Sequence, residues 1–82
     1  MAKREKLKAK LLSGTQDNNF DFDDLCTLVF QLGFTERKAK GSHRVFYRQG
    51  IDDIINLQPA RDGKAKPYQV KQIRSIVKAY QL

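Results

Sequence analysis

The stretch LCTLVFQLGFTERKAKGSHRVFYR, residues 25–48, changes its hydrophobic period in the middle. In the first part, apolar residues recur at the spacing of one helix face, at positions 25, 28, 29 and 32. Gly33 then provides a stop signal, because glycine accepts the left-handed conformation that commonly follows a helix. Beyond it, FTERKAK and SHRVFYR flank Gly41 and indicate the two strands of a hairpin. The stretch therefore predicts a helix followed by an antiparallel strand pair.

The residues just before this helix predict where it starts. Asp21 is a natural N-cap, and Phe20 and Leu25 are spaced for a hydrophobic staple across it. Asp23 and Asp24 fall in the first turn, where carboxylates complement the positive end of the helix dipole. Capping therefore explains this acidic cluster, which lacks both the EF-hand spacing and a neighbouring histidine.

The chain before residue 20 and after residue 50 adds shorter elements. AKREKLKAKLL, residues 2–12, predicts a basic helix that ends at Ser13-Gly14, and a loop follows it. IINLQP, residues 54–59, predicts a third strand, closed by its proline. ARDGKAK, residues 60–66, predicts a flexible basic loop.

A last helix is predicted from Pro67, since proline suits the first helical position. Its apolar residues fall on one face and its cations on the opposite face. The apolar stripe comprises Val70, Ile73, Ile76, Val77 and Tyr80, and the basic stripe comprises Lys71, Arg74 and Lys78.

This order of elements predicts an α+β fold. The simplest packing is a three-stranded antiparallel sheet with helices on one face, in the order α-β-β-β-α, plus an extra N-terminal helix. We expect one domain over residues 1–82, with the basic helix in 1–14 and the core in 20–82. The uncovered sheet face, bordered by cations, is a suitable surface for RNA.

Composition restricts where such a protein could act. No apolar run approaches the ~18 residues that would span a bilayer, and no signal-peptide pattern is visible. The single cysteine, Cys26, cannot form an internal disulfide and lies in an apolar helical stretch, so we expect a core thiol. These features predict a cytoplasmic protein with no membrane partner.

Positive charge is concentrated in three segments, the first of which, residues 1–12, carries +4. The 16 Lys and Arg against 9 Asp and Glu give a net charge of +7. Residues 35–50 carry +4 and residues 61–82 carry +5. A polyanionic partner and an ordinary solvated basic surface are both consistent with this distribution.

His43 is the only histidine. Histidine readily gives and takes a proton near neutral pH, and RNA cleavage by internal transfer needs both steps. From the residues alone, three readings stay open: a catalytic imidazole, one that only contacts a phosphate or solvent, and a buried structural one.

Ser42 adjoins His43 and would point to the opposite side of a strand, which disfavours a Ser-His-Asp hydrolase. Asp52 and Asp53 are likewise adjacent and would point to opposite sides of a strand, which disfavours a two-metal site. We interpret them as polar residues of a turn and of a sheet edge.

Several neighbours of His43 suit an RNA substrate. Gly41 lets the backbone approach a phosphate, Ser42 can donate a hydrogen bond, and Tyr47 can stack on a base or transfer a proton. The candidate phosphate-binding cations are Lys38, Lys40, Arg44 and Arg48 near the hairpin, and Arg61, Lys64 and Lys66 in the basic loop.

The run from Leu32-Gly33-Phe34 through KGSHRVFYR (40–48) to INLQP (55–59), continued by KPYQV (66–70), resembles the HicA toxin family. The resemblance covers roughly residues 20–80. It implies a compact α-β-β-β-α fold similar to the double-stranded-RNA-binding domain. It also implies a bacterial endoribonuclease that cleaves mRNA without a metal or small-molecule cofactor, together with a HicB-type antitoxin that covers the catalytic face.

The family's catalytic histidine in its Gly-Ser-His motif corresponds to His43, with Gly41 and Ser42 beside it. Some members carry a second histidine directly afterwards, where this chain has Arg44. His43 would therefore act with a lysine, a tyrosine or water as the second proton carrier. The alternatives are a nucleic-acid-binding module without chemistry and a domain that binds an acidic protein.

Overall fold

A computed structural model describes residues 3–37, 39–41 and 43–82. The predicted helix start at Ala2 and two predicted RNA contacts, Lys38 and Ser42, lie outside these residues. The elements in chain order are α1 (Lys3–Ser13), a short 3₁₀ turn (Asp17–Asn19), α2 (Phe22–Gln31), β1 (Thr35–Arg37), β2 (Arg44–Arg48), β3 (Ile51–Leu57) and α3 (Pro67–Tyr80).

The three strands form one antiparallel sheet in the order β1-β2-β3, which confirms the predicted α+β fold. On the central strand, Phe46 is fully buried and pairs with Ile55 of β3, which is also fully buried. Their neighbours in sequence, Tyr47 and Ile54, are both largely exposed. Because successive strand residues point to opposite faces, the helices cover one face of the sheet and leave the other open.

The hydrophobic core joins all three helices to the covered face. Leu7 and Leu11 of α1 belong to it, so the N-terminal helix packs onto the core. Cys26 is buried as expected, and burial raises the pKa of its thiol to about 11. The thiolate is therefore disfavoured, and Cys26 is not an activated nucleophile.

The limits of α2 follow its predicted start and stop signals. Asp21 occupies the N-cap position, but its carboxylate makes no capping hydrogen bond. It pairs instead with the Lys64 ammonium at 3.0 Å, because the loop after β3 passes beside the helix start. Gly33 ends the helix with a φ of 93°, a conformation that favours glycine, as the sequence predicts.

The segment between β3 and α3 is a loop, as the sequence predicts, but backbone hydrogen bonds restrain it. The Ala65 N–H donates to the Phe20 carbonyl at 2.7 Å, and the Phe22 N–H donates to the Gly63 carbonyl at 3.2 Å. These bonds tie the loop to the start of α2. The sequence could not show this, because the pairing joins segments more than 40 residues apart.

The third strand also starts earlier than predicted. It begins at Ile51, directly after the turn that Gly50 makes, and Ile51 pairs with Arg48. Asp52 and Asp53 are therefore exposed strand residues rather than turn residues. Because β3 is an edge strand, the prediction that these two aspartates lie at a sheet edge agrees with the structure.

The predicted basic stripe of α3 is wrong for Arg74. Its guanidinium donates two hydrogen bonds to the Asp17 carboxylate, at 2.9 and 3.0 Å, and one to the Leu11 carbonyl at 3.2 Å. The Arg74 and Asp17 side chains are only 17% and 14% exposed. Arg74 thus fastens α3 to the 3₁₀ turn and to the end of α1 and is not available to a ligand.

This ion pair predicts a specific acid sensitivity. Hydrogen bonds from Arg74 hold the pKa of Asp17 below its ordinary value. The pair's contribution to stability is therefore complete above about pH 3.9, the unfolded aspartate pKa, and is lost as the pH falls through the lower folded value. We expect Asp17→Asn to cost about 1–3 kcal/mol at pH 7 and to remove this acid-dependent loss.

Thermal unfolding at pH 7 and at a pH below the folded pKa checks the prediction. Asp53→Asn is the matched control, since Asp53 is exposed and forms no ion pair within the described part of the chain. Equal losses on acidification for wild type and Asp17→Asn would contradict the assignment.

Candidate active site

His43 lies directly before β2 and is exposed. It borders a cleft of about 250 Å³, whose other lining residues are Asn56, Gln58, Tyr68 and Gln69. The end of β3 and the first turn of α3 supply these four residues. The cleft is therefore polar, with one imidazole, one phenol and three amides.

Strand pairing explains why these side chains converge. Val45 of β2 pairs with Asn56 of β3, so Asn56 lies on the open side of the sheet, away from Phe46. Residues two positions apart along a strand lie on the same face. His43 is two positions before Val45 and Gln58 is two positions after Asn56, so both lie on the open side of the sheet. The sequence alone did not show which face of β2 is buried. The complete burial of Phe46 shows that it is the face that carries Phe46.

A buried glutamine joins α3 to the end of β3. Gln69 is only 1% exposed. Its amide nitrogen donates to the Gln58 carbonyl at 3.2 Å, and its amide oxygen accepts from the Gln58 N–H at 3.1 Å. Both backbone groups of this edge position are thereby satisfied, and the first turn of α3 is held against the cleft.

The turn that leads to His43 carries the Gly-Ser-His motif. Gly41 has a φ of 69°, and among the described residues, its chain neighbours aside, no atom lies within 4 Å of the position that a Cβ would occupy. The conformation favours glycine, and the open space leaves the backbone accessible to a bulky group such as a phosphate. Lys40, next to it, is exposed.

The start of α3 adds positive character on the other side of the cleft. Lys66 is the N-cap and Pro67 the first helical residue, and no side chain caps the helix. The first turn also contains no acidic residue. The positive end of the α3 dipole is therefore not offset by a carboxylate of this turn.

Arg44 points away from this cleft. It donates to both carboxylate oxygens of Glu36, at 2.9 and 2.7 Å, and these bonds hold the pKa of Glu36 below its ordinary value. Its guanidinium also lies 5.8 Å from the Phe30 ring centroid and 5.6 Å from that of Phe46. Arg44 therefore packs on the helix-covered side, and a second histidine at this position would not share the cleft with His43.

Two other predicted RNA contacts lie further along β2 from His43, and a third is engaged in an ion pair. Arg48 donates to the Leu32 carbonyl at 2.7 Å, at the far end of β2. Lys64 is engaged by Asp21. Tyr47 is 42% exposed on the open face, but about 13 Å further along the strand from His43 at the usual rise per residue. Because Arg44 is directed to the other side of the sheet, the predicted contacts best placed for the cleft are Lys40 and Gly41, just before His43 in the chain, and Lys66, just before the turn of α3 that lines the cleft.

Comparison with known protein families completes this description. A family model described as the HicA toxin of bacterial toxin-antitoxin matches residues 22–80, which is most of the chain. The chain belongs to the HicA toxin family. As a HicA toxin it has an antitoxin as its partner. No curated protein and no solved structure matches the chain.

The HicA match runs from the start of α2 to the end of α3 and therefore contains the whole cleft. It begins after α1, although Leu7 and Leu11 of that helix lie in the core.

Four cleft residues of this HicA chain were not predicted from its sequence as site residues, namely Asn56, Gln58, Tyr68 and Gln69. One signal was available for Gln69, which is four residues before Ile73 and thus a polar residue on the apolar stripe of α3. Such a residue needs a buried hydrogen-bond partner. No comparable signal marked Tyr68, because exposed aromatic residues at helix starts are common.

Two wider properties of the HicA chain concern membranes and metals. Within residues 3–37, 39–41 and 43–82, no helix combines the length and apolar character needed to cross a bilayer. The same residues bring together no group of three or more His, Cys, Asp or Glu side chains that could hold a metal ion.

Proposed function

We propose that this HicA toxin is a metal-independent endoribonuclease that cleaves mRNA and so inhibits translation. The observation that carries the proposal is the exposed imidazole of His43 in a polar cleft on the open side of the sheet. The uncompensated positive end of α3 and the accessible backbone of Gly41 support a phosphate beside it.

The proposed reaction is an internal transfer. The 2′-oxygen of one nucleotide forms a bond to its own phosphorus, the bond from phosphorus to the next 5′-oxygen breaks, and a 2′,3′-cyclic phosphate results. One proton leaves the 2′-hydroxyl and one reaches the departing 5′-oxygen, so the charge balances. His43 serves one of these proton transfers, and water, a lysine or a tyrosine serves the other.

Cations would stabilise the negative charge that builds on the phosphorane. Lys40 and Lys66 are the best supported by position, since Lys40 precedes the Gly-Ser-His turn and Lys66 precedes the α3 turn that lines the cleft. RNA contacts from Lys38, Ser42, Arg44, Tyr47, Arg48 and Lys64 remain predictions. For Arg44, Arg48 and Lys64, the bonds to Glu36, Leu32 and Asp21 provide a structural role instead.

The antitoxin partner follows from the same site. We propose a HicB-type antitoxin that covers the open face around His43 and blocks access of RNA to the cleft. The reaction and this partner would both be located in the bacterial cytoplasm.

The need for a 2′-hydroxyl tests the chemistry. Purified protein is incubated at neutral pH with excess EDTA and either a mixed-sequence single-stranded RNA or the same sequence as DNA. We expect cleavage of the RNA alone. Cleavage of both polymers, or RNA cleavage abolished by EDTA, would contradict internal transfer without a metal.

Salt dependence tests the electrostatic part of the proposal. If about five phosphates are neutralised, the logarithm of RNA affinity should fall with log salt at a slope of about −3.5 for a single strand. Lys40→Ala should make the slope shallower by about 0.7. Lys64→Ala is the matched control and should change it less, because Asp21 already pairs with this ammonium. A slope near zero would exclude a phosphate-binding surface.

The second candidate function is RNA binding without chemistry. It is favoured by one observation, namely that His43 makes no hydrogen bond to another described side chain, whereas a catalytic imidazole usually has an orienting partner. Under this reading the wild-type protein binds RNA and leaves it intact, with and without ribosomes.

A further inference from the structure

The cleft beside His43 has an aromatic wall that neither the motif nor the proposed proton transfer uses. Tyr68 is 63% exposed although its ring lines the cleft. An exposed aromatic ring next to cations is the usual surface on which single-stranded nucleic acids stack a base. Stacking tolerates many sequences, because every base has a π face.

The position of Tyr68 is fixed by its neighbour. Gln69 is buried and bonded to both backbone groups of Gln58, so the first turn of α3 is anchored to the end of β3. The Tyr68 hydroxyl lies 3.5 Å from the Gln69 amide. The backbone that carries Tyr68 is therefore anchored beside the cleft, and the ring is presented there for a base to stack on.

Two side-chain amides complete the cleft. Asn56 and Gln58 both line it, and neither side chain hydrogen-bonds to another residue in the part of the chain that the structure describes. A carboxamide offers one acceptor and two donors, the complement that the edge of a nucleobase requires.

The cleft is smaller than a usual site for a whole small-molecule ligand. Its volume of about 250 Å³ is below the range of about 300–1,000 Å³ that is common for whole small-molecule ligands. One planar ring fits such a space, whereas the attached sugar and phosphate would lie outside it, on the side of His43 and the Gly41 turn.

We propose that this cleft is a nucleobase subsite for single-stranded RNA, in which one base stacks on Tyr68 and its edge meets the Asn56 and Gln58 amides. This inference rests on the proposed ribonuclease function. The subsite would place the phosphodiester next to the bound base at His43, and it would give the cleavage its base preference.

Binding tests the subsite independently of cleavage. A fluorescein-labelled, mixed-sequence single-stranded RNA of 12 nucleotides is titrated by anisotropy into His43→Ala protein and into the same protein with a second change. Tyr68→Ala should weaken binding about 5- to 150-fold, and Tyr68→Phe should stay within about twofold of the parent, because stacking needs only the ring. Tyr80→Ala is the matched control, since Tyr80 lies at the other end of α3. Thermal melting of each variant confirms that it is folded.

Cleavage maps test base preference. Sequencing the fragment ends from a random RNA should show the same base distribution for wild type and Tyr80→Ala and a broader one for Asn56→Ala.

The two proposals fail in different ways. If wild type cleaves RNA but folded Tyr68→Ala binds as tightly as its parent, the subsite is wrong and the ribonuclease stands. If wild type never cleaves but Tyr68→Ala still loses affinity, the base-stacking site stands and the ribonuclease is wrong. If Tyr68→Phe weakens binding as much as Tyr68→Ala does, the hydroxyl rather than the ring holds the RNA and the stacking proposal is overturned.

Discussion

His43→Ala is expected to lower the RNA cleavage rate by about 10²–10⁴-fold, the usual contribution of a positioned general acid or base. RNA affinity should stay within a few-fold, because the affinity comes from cations and stacking rather than from the imidazole. The His43 side chain is exposed before β2, so its removal leaves no cavity in the core. Single-turnover cleavage and anisotropy titrations of the same folded protein measure the two effects separately.

Gln49→Ala provides a matched control for this substitution. Gln49 is also exposed and flanks β2, but it lies in the turn at the opposite end of the strand. We expect wild-type rates from it. A His43→Ala protein that retains the wild-type rate would show that the proton transfers occur elsewhere. A His43→Ala protein that loses affinity in proportion to rate would favour a binding role for the imidazole.

Phe46→Ala is expected to cost about 3–5 kcal/mol of unfolding free energy, the usual cost of emptying a fully buried phenylalanine site. Phe46 is completely buried on the central strand and packs edge to face on Phe30, with ring centroids 5.3 Å apart. Small domains have only about 5–15 kcal/mol of stability, so this one change removes a large share of it. Urea unfolding followed by far-UV circular dichroism measures the loss.

Tyr47→Ala is the neighbouring comparison, because Tyr47 lies on the open face of the same strand. We expect a loss of less than about 1 kcal/mol, as for most exposed substitutions. If the two variants were equally destabilised, both faces of the sheet would be covered. The open surface proposed for RNA and the antitoxin would then not exist.

The helices and the order of strands could be predicted because their signals are local. The spacing of apolar residues in α2, the stop at Gly33 and the start at Pro67 each depend on a few adjacent residues. The hairpin around Gly41 is local in the same sense. The antiparallel sheet with helices on one face follows from these elements by simple packing.

The remaining features depend on contacts between distant segments. Which face of β2 is buried could not be read from its alternation, because both faces mix polar and apolar groups. Arg44 looked like an RNA contact, since its Glu36 partner lies on another strand. Arg74 looked solvent-exposed, since Asp17 is 57 residues away.

The site was predictable only in part. The resemblance to the HicA family pointed to His43, whereas the residues around the cleft come together through the pairing of β2 with β3 and through Gln69. No local pattern in the sequence joins Tyr68 to a histidine 25 positions earlier.

End-group analysis of the RNA fragments tests the central claim most directly. Wild type and His43→Ala are each incubated at neutral pH with mixed-sequence RNA, once in excess EDTA without ribosomes and once with ribosomes in a buffer that contains Mg²⁺. We predict fragments that carry a 2′,3′-cyclic phosphate and a 5′-hydroxyl from wild type, and intact RNA from His43→Ala. Intact RNA from wild type under both conditions, or the same fragments from both proteins, would contradict a ribonuclease centred on His43.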